Sequence, residues 1–367
     1  MKETGMLLIA EIYPAGCTEL EMELARRNIH NPILKPADIR PSMEGMKIEC
    51  LLNPGVFRFE NKIWLLLRVA ERPEQAANEV SFPVMKDEHI EIMRFRKDDP
   101  DLDATDPRVI KYKGKDYLTT LSHLRLVCSS DGLHFEEPDG YAPIFGKGPQ
   151  ETFGIEDCRV ATMAEGYHLS YTKVAPEGVG VGYIFTRNWK DFDRRGMIFP
   201  PHNKDCAIFE VKVHGKYYAL HRPSSPELGG NYMWIAQSPD LLHWGNHMCI
   251  ATTRENSWDS ARLGAGAAPV RTPEGWLEIY HGADLNNRYC LGALLLDIDD
   301  PSKVIARSEH PIMEPTAAYE RTGFFGNVIF TNGQLVNGDI LTIYYGASDE
   351  VICMADFSIT DILSHLK

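Results

Sequence analysis

The sequence has no apolar run approaching the roughly eighteen residues that a membrane-spanning helix needs. It also lacks a surplus of positive charge. Its 38 Lys and Arg are outnumbered by 52 Asp and Glu, for a formal net charge of -14. That balance speaks against a nucleic-acid backbone or an anionic membrane surface as partner. It does not exclude a small anion, because a local cluster of Arg and Lys can oppose the global sign. The eight cysteines stand singly, at 17, 50, 128, 158, 206, 249, 290 and 353. Without a CxxC pair a structural zinc site is not expected. Cys158, Cys206 and Cys290 fall in strand-like runs and read as small buried hydrophobes. The apolar stretch from Met6 to Ala10 is too short for a secretory signal and lies between Glu3 and Glu11. A reducing cytoplasm is the expected compartment. Helix patterns are scarce too: one over Thr18 to Ile29, and a short one after Thr360.

What the chain does have is a repeat. Asp106-Pro107-Arg108-Val109-Ile110, a Gly-centred turn, then Tyr117 to Leu121 form one unit. Asp157 to Ala161 with Tyr167 to Thr172 form the next, followed by Asp205 to Phe209 with Tyr217 to Arg222. Ala268-Pro269-Val270 with Trp276 to Gly282, and Asn327 to Phe330 with Leu341 to Gly346, continue the series. An early copy runs from Asn53-Pro54-Gly55 through Ile63 to Arg68. Each unit is an apolar strand, a Gly turn and an aromatic-rich strand, which is a hairpin pattern. The spacing is roughly one four-stranded propeller blade. Ser129 to Phe135 and Ser238 to Trp244 read as matching turns on the outside of two blades. The fold expected is all-β: a five-bladed β-propeller in one domain spanning 1–367, with a short N-terminal helical segment and a short C-terminal helix. Six unit starts are visible, so the early and late units are expected to share one blade and close the ring. The competing architecture is a stacked β-sandwich.

In a propeller the innermost strands line a central channel, so equivalent positions in successive units meet at one mouth. The polar residues at such positions are Asp106, Arg108, Asp157, Arg159, Lys204, Asp205, His221, Arg222, Arg262, Tyr280, His281 and Asp349. Mixed carboxylates and cations suit a carbohydrate, whose hydroxyls both donate and accept. Lys204, Arg222, Arg262 and His281 suit a phosphate or other oxyanion. Gly154-Ile155-Glu156-Asp157-Cys158-Arg159-Val160 is the most pointed segment. Strand alternation puts Asp157 and Arg159 on one face and Glu156 on the other. Gly264-Ala265-Gly266 allows close backbone approach to a ligand, but it lacks the spacing and βαβ context of a nucleotide-binding fingerprint. Asp205, His202 and His221 match no familiar metal-ligand spacing, so no metal is expected. Ordinary readings compete at several places: Asp106 and Arg108 as a surface pair, His221 and His281 as satisfied core histidines.

These motifs resemble the mannoside phosphorylases and related β-mannosidases, a family of five-bladed β-propeller enzymes. The resemblance runs from Asn53-Pro54-Gly55 through Gly154 to Arg159, His202-Asn203-Lys204-Asp205, His221-Arg222-Pro223, Gly264-Ala265-Gly266 and Tyr280-His281-Gly282 to Tyr344-Tyr345-Gly346-Ala347-Ser348-Asp349. It implies inverting phosphorolysis: phosphate attacks the anomeric carbon of a terminal β-mannosyl unit and α-mannose 1-phosphate is released. Asp157 matches the family's single catalytic acid, which in some members acts through a sugar hydroxyl. Lys204, Arg222, Arg262 and His281 match its phosphate-binding set. Asp205 and Asp349 match positions that hold the mannosyl unit; Arg68, Asp106, Arg159 and Tyr280 complete the candidate substrate-binding set. Inorganic phosphate is then a co-substrate, with no cofactor, and the partner is a small β-1,2- or β-1,4-linked manno-oligosaccharide.

The chain departs from the pattern at Glu210, where Pro is usual, at Glu278, where an apolar residue is usual, and in the insert from Ser224 to Gly230. Family hydrolases hold a water between two glutamates, so Glu227 or Glu210 with Glu278 supports an alternative inverting β-1,2-mannosidase. A hydrolase needs that second carboxylate to deprotonate water, whereas phosphate is already an anion. A non-catalytic sugar-binding propeller is a further alternative. Linkage choice is assigned to loops 72–90 and 224–231. The N-terminal segment is free to pack on its own propeller or on a neighbouring copy in a homo-oligomer.

Overall fold

The computed structural model describes residues 23–106, 108–224 and 228–366. Five antiparallel sheets stand around one axis. Blade 1 pairs Met46–Phe59, Lys62–Pro73 and Leu121–Ser129. Blade 2 is Ile155–Met163, Gly166–Ala175, Gly178–Thr186 and Asp193–Phe199. Blade 3 is Asn203–Ile208, Tyr217–Pro223, Met233–Ser238 and Gly245–Ala251. Blade 4 starts with Arg262–Gly264 and Val270–Thr272, both paired to Gly275–Ala283, and continues through Tyr289–Leu296 and Val304–Arg307. Blade 5 is Ile329–Asn337, Ile340–Ala347 and Val351–Ser358, with Arg26–Arg27 added as its outermost strand.

A blade covered on both faces by its neighbours can be apolar on both, so its middle strands lose the in–out alternation of a half-exposed sheet. Leu121–Ser129 and Gly275–Ala283 are buried at every position. The apolar side chains segregate into a cluster at each junction. Phe57, Leu66 and Leu124 meet Ile155, Leu169 and Trp189 between blades 1 and 2, and Tyr183 and Val181 meet Ile208 and Ala219 between 2 and 3. Phe209 and Leu220 meet Trp276 and Leu294 between 3 and 4, and Leu277 and Leu291 meet Ile343 and Tyr345 between 4 and 5. Leu51, Leu65 and Val127 meet Tyr344 and Ile352 between blades 5 and 1, which completes the circle.

The early and late repeat units occupy different blades, not a shared one. The surplus start is the Asp106 unit. Its strands, Val109–Tyr112 and Lys115–Leu118, are only four residues each and form a small sheet with Leu102–Asp103. Together with the hairpin Glu79–Lys86/His89–Arg96 they make an insertion between the second and third strands of blade 1. The insertion has its own core of Phe82, Val84 and Ile110, which packs on Val174 of blade 2 and on Phe153 just before it.

The ring is closed by the N-terminal segment. Arg26 and Arg27 pair with Asp356 and Ala355. Arg27–Glu320 is an ion pair at 2.8 Å on a fully buried carboxylate. Of the helix expected over Thr18 to Ile29, residues 18–22 lie outside the described residues, and Arg26–Arg27 is strand. An edge strand satisfies the open hydrogen bonds of Val351–Ser358, which a helix would not do. The C-terminal helix is present at Ile359–His365, with Ser358 Oγ accepting from Asp361 N at 3.1 Å.

The two outer turns match bond for bond. Ser129 Oγ accepts from Gly132 N at 2.9 Å and Ser238 Oγ from Leu241 N at 2.8 Å. Asp131 and Asp240 each accept from the next two turn amides at 2.9 Å.

Candidate active site

The first strands of blades 5, 1, 2 and 3 touch in turn, and the backbone device that arms three of them recurs. In blades 1, 2 and 3 the pairing slips between Leu52 and Gly55, Glu156 and Arg159, and Lys204 and Ala207. At each slip sits a polar residue with positive φ: Asn53 at 26°, Asp157 at 49° and Asp205 at 53°. A β-bulge of this kind adds one residue to the strand and re-aims its side chain. Asn and Asp tolerate the left-handed region better than most residues. The three bulges bring an amide and two carboxylates to one end of the channel, where a cavity of about 250 Å³ opens.

The bulge also overturns the alternation argument for Glu156. Asp157 and Glu156 grip the same guanidinium: Arg68 donates to Asp157 Oδ1 at 3.1 Å and to Glu156 Oε1 at 2.8 Å. Ser122 Oγ accepts a third Arg68 bond at 3.0 Å, and Asn53 donates to Asp157 Oδ1 at 3.1 Å. Asp349, in the turn before the last strand of blade 5, also lines this cavity. Burial pushes its carboxyl up to about 6; Arg68 pulls it down, and Asp157 and Glu156 push it further up. Burial raises Asp157 too, but Arg68, Lys204 and Arg159 outweigh that, and its carboxyl lies below the ordinary range.

The other side of the cavity is cationic. Lys204 and Arg222 come from the first two strands of blade 3 and Arg262 from the first strand of blade 4, and all three line the cavity. Arg262 donates to Tyr289 Oη and Asn287 Oδ1, both at 3.0 Å. Arg222 Nε lies 3.2 Å from Asp205 Oδ2. Lys204 makes no ion pair among the described residues. Asp205 is the anchor of this side: Arg159 and His281 also reach it, each at 3.3 Å. Burial opposes its charge, but Arg222, His281 and Arg159 hold its carboxyl well below the usual range.

Several candidates stand elsewhere. His281 is buried behind Asp205 and does not line the cavity. Burial lowers it to about 4 while Asp205 pulls it up. Arg159 is also buried and pins the backbone beneath the site, donating to Ala265 O at 2.7 Å, Gly266 O at 2.9 Å and the Asp157 carbonyl at 3.0 Å. Tyr280 is wholly buried between blades 3 and 4, with its hydroxyl on Asp259 at 3.0 Å. Asp106 is half-buried and pairs with the exposed Arg108 at 3.1 Å, which is the surface-pair reading. His221 stacks on Phe199 with centroids 4.4 Å apart, as a core histidine. No group of His, Cys, Asp and Glu arranged to hold a metal occurs among the described residues.

Of the glutamates of the hydrolase alternative, neither Glu278 nor Glu210 lines this cavity. Glu278 is fully buried, accepts from Gly266 N at 2.7 Å, and is pushed well up by burial. Glu210 accepts from Thr162 N at 2.8 Å and lines a separate cavity with Val56, Arg58, Ala267 and Asn332. Glu227 lies outside the described residues. Loop 72–90 contributes nothing to the lining of the cavity; the outer wall is Arg108 and Leu118–Thr120 from the insertion, with Phe324 and Phe325 from the approach to blade 5. Asn53, Asn287, Tyr289 and Phe325 escaped the sequence reading. Only Asn53 had a signal, as the blade 1 counterpart of Asp157 in the repeat.

Comparison with known proteins adds the family. Residues 121–367 match the glycoside hydrolase family 130 model, described as beta-1,4-mannooligosaccharide phosphorylase. The chain belongs to this family. A beta-1,2-mannobiose phosphorylase of Listeria innocua is 42% identical over 347 residues, 92% of this chain and 97% of the relative. A 1,2-beta-oligomannan phosphorylase of a Thermoanaerobacter species is 39% identical over 246 residues, 66% of this chain and 80% of the relative. The Listeria innocua beta-1,2-mannobiose phosphorylase solved with beta-1,2-mannobiose superposes with a TM-score of 0.89 at 41% identity, covering 93% of this chain and 99% of that one. These relatives share its five-bladed propeller.

Proposed function

We propose that this family member catalyses inverting phosphorolysis of β-mannosides, β-1,2- or β-1,4-linked, to give α-mannose 1-phosphate. One observation carries the reading: Lys204, Arg222 and Arg262, from blades 3 and 4, line the same cavity as Glu156 and Asp157 from blade 2 and Asp349 from blade 5. Such a site offers phosphate a cationic seat and the departing sugar a carboxyl group. A phosphate oxygen forms the new bond to the anomeric carbon as the glycosidic C–O bond breaks. The departing oxygen takes a proton, which the Asp157 carboxyl supplies directly or through a sugar hydroxyl. Asp157 is ionised before substrates bind, because Arg68, Lys204 and Arg159 favour its charge. Phosphate seated on Lys204 neutralises one of those cations and lifts Asp157 towards the range of a proton donor, so that the carboxylate takes up a proton from solvent before the glycosidic bond breaks. Nucleophile binding and acid strength are thereby coupled.

Inorganic phosphate is the only co-substrate this reading requires, and the cytoplasm is the compartment it fits. The relatives named above are a beta-1,2-mannobiose phosphorylase and a 1,2-beta-oligomannan phosphorylase, which supports the substrate class. Glu278 accepts from Gly266 N and Glu210 from Thr162 N, and neither lines this cavity, which favours phosphorolysis over a hydrolase that pairs Glu210 with Glu278.

The test is turnover of β-1,2- and β-1,4-mannobiose with and without phosphate. Mannose 1-phosphate formed only in its presence is expected. Free mannose released equally fast without phosphate would sink the proposal and support a hydrolase. In the same assay Asp157→Asn is expected to cut turnover by about 10²- to 10⁴-fold; unchanged turnover would remove Asp157 from the mechanism.

A further inference from the structure

The insertion in blade 1 and the approach to blade 5 meet at one place on the cavity wall. The Arg108 guanidinium lies over the Phe325 ring, 5.1 Å from its centroid. Both residues are fixed from behind. Asp106 accepts from Arg108 Nε at 3.2 Å, from its terminal nitrogen at 3.1 Å and from its amide at 2.8 Å. Arg108 O in turn accepts from Thr119 N at 3.1 Å, and Phe325 N donates to Ser348 O at 2.9 Å. A guanidinium on an aromatic face is a flat, stiff contact.

The position of this contact follows from the chemistry already assigned, and the inference rests on that reading. In an inverting displacement the leaving group departs from the face opposite the nucleophile. Phosphate sits on the blade 3 and 4 side, with Lys204, Arg222 and Arg262. The leaving sugar therefore lies towards blades 1 and 5, against Leu118–Thr120, Phe324, Phe325 and Arg108. A third sugar unit would have to pass between the insertion and blade 5, where Arg108 and Phe325 touch.

We infer that Arg108, held by Asp106, and Phe325 form the end wall of the leaving-sugar pocket and restrict the enzyme to disaccharides. The pair is a specificity device, and Asp106 serves it by positioning Arg108 and does not itself bind sugar.

The experiment compares kcat/KM for the mannobiose and the mannotriose of whichever linkage the enzyme phosphorolyses, at saturating phosphate. Wild type is expected to prefer the disaccharide. Arg108→Ala and Phe325→Ala are each expected to shrink that preference by about tenfold, chiefly through the trisaccharide KM. Phe325→Tyr keeps the ring and is expected to keep the preference. Wild type acting equally on both lengths, or a preference unchanged in both alanine variants, would overturn the wall. Wild type with no phosphate-dependent turnover of either sugar would instead overturn the phosphorylase reading, and the wall's role with it.

Discussion

Asp349, Asp157 and Glu156 share one guanidinium, Arg68, and the site titrates accordingly. Burial above all, with Asp157 and Glu156 nearby, raises the affinity of Asp349 for a proton, to about 6, against the pull of Arg68. In the unfolded chain it titrates near the ordinary value of about 3.9. Between those values the folded protein holds a proton that the unfolded chain has released, so stability falls as pH rises through that window. Asp349→Asn removes the ionisation. It is expected to raise stability by about 1–3 kcal/mol at neutral pH, with the gain gone below about pH 4, while activity falls. Thermal unfolding at the two pH values checks this; a variant less stable than wild type at neutral pH would mean that the Arg68 attraction dominates. Asp157, Lys204, Arg222 and Arg262 were legible in the sequence because charged groups recur at equivalent ends of buried strands in successive repeat units and match the motifs of the resembled family, and buried charges need a partner or a ligand. Tyr280 and His281 share that polar character but face Asp259 and Asp205. Which neighbour a side chain meets is a property of blade packing that no single strand carries.

At the scale of the element, the bulge decides the site. Strict alternation separates Glu156 from Asp157; the extra residue at φ 49° puts both on Arg68. The hairpins themselves were readable, because Gly turns and period-two patterns are local. A bulge has a weaker signature: a polar residue such as Asn53, Asp157 or Asp205 where the strand pattern wants an apolar one. Blade 4 uses glycine instead. Its inner strand breaks after Gly264, and a Cβ there would collide with the Asp205 carboxylate and lie 2.7 Å from His281 Nε2. Those are the groups behind Arg222. Gly264→Ala is therefore expected to push Asp205 off its partners, costing about 1–3 kcal/mol of stability and raising the phosphate KM. Steady-state kinetics with varied phosphate, beside a melt, tests this. A variant with wild-type phosphate KM would show that Asp205 does not set the position of Arg222.

For the whole molecule, five apolar junctions must close into a ring, and the last is tied by a strand from the other end of the chain. The repeat period disclosed the blades, but it counted the Asp106 unit as one. Its sequence has the same hairpin grammar; only its short strands and its packing on Phe153 and Val174 set it apart. The closure was less legible, because two residues of strand carry no periodicity. Its energetics concentrate at Glu320. That fully buried carboxylate accepts from Arg27 Nε and Tyr345 Oη at 2.8 Å each, and from the amides of Thr316 at 2.8 Å and Ala317 at 2.9 Å. Removing Arg27 leaves the charge with neutral donors only, in a place water does not reach. The usual cost of breaking such a pair is about 3–5 kcal/mol, and the three remaining donors place this one nearer 2 kcal/mol. Arg27→Ala is thus expected to lower the melting temperature by several degrees, while KM for phosphate at 25 °C is unchanged, since Arg27 lies on the outer edge of blade 5. A melt equal to wild type would mean that the closing strand adds no stability through this pair, and that the apolar contacts of Leu34 and Ile39 with blades 1 and 5 hold the ring by themselves.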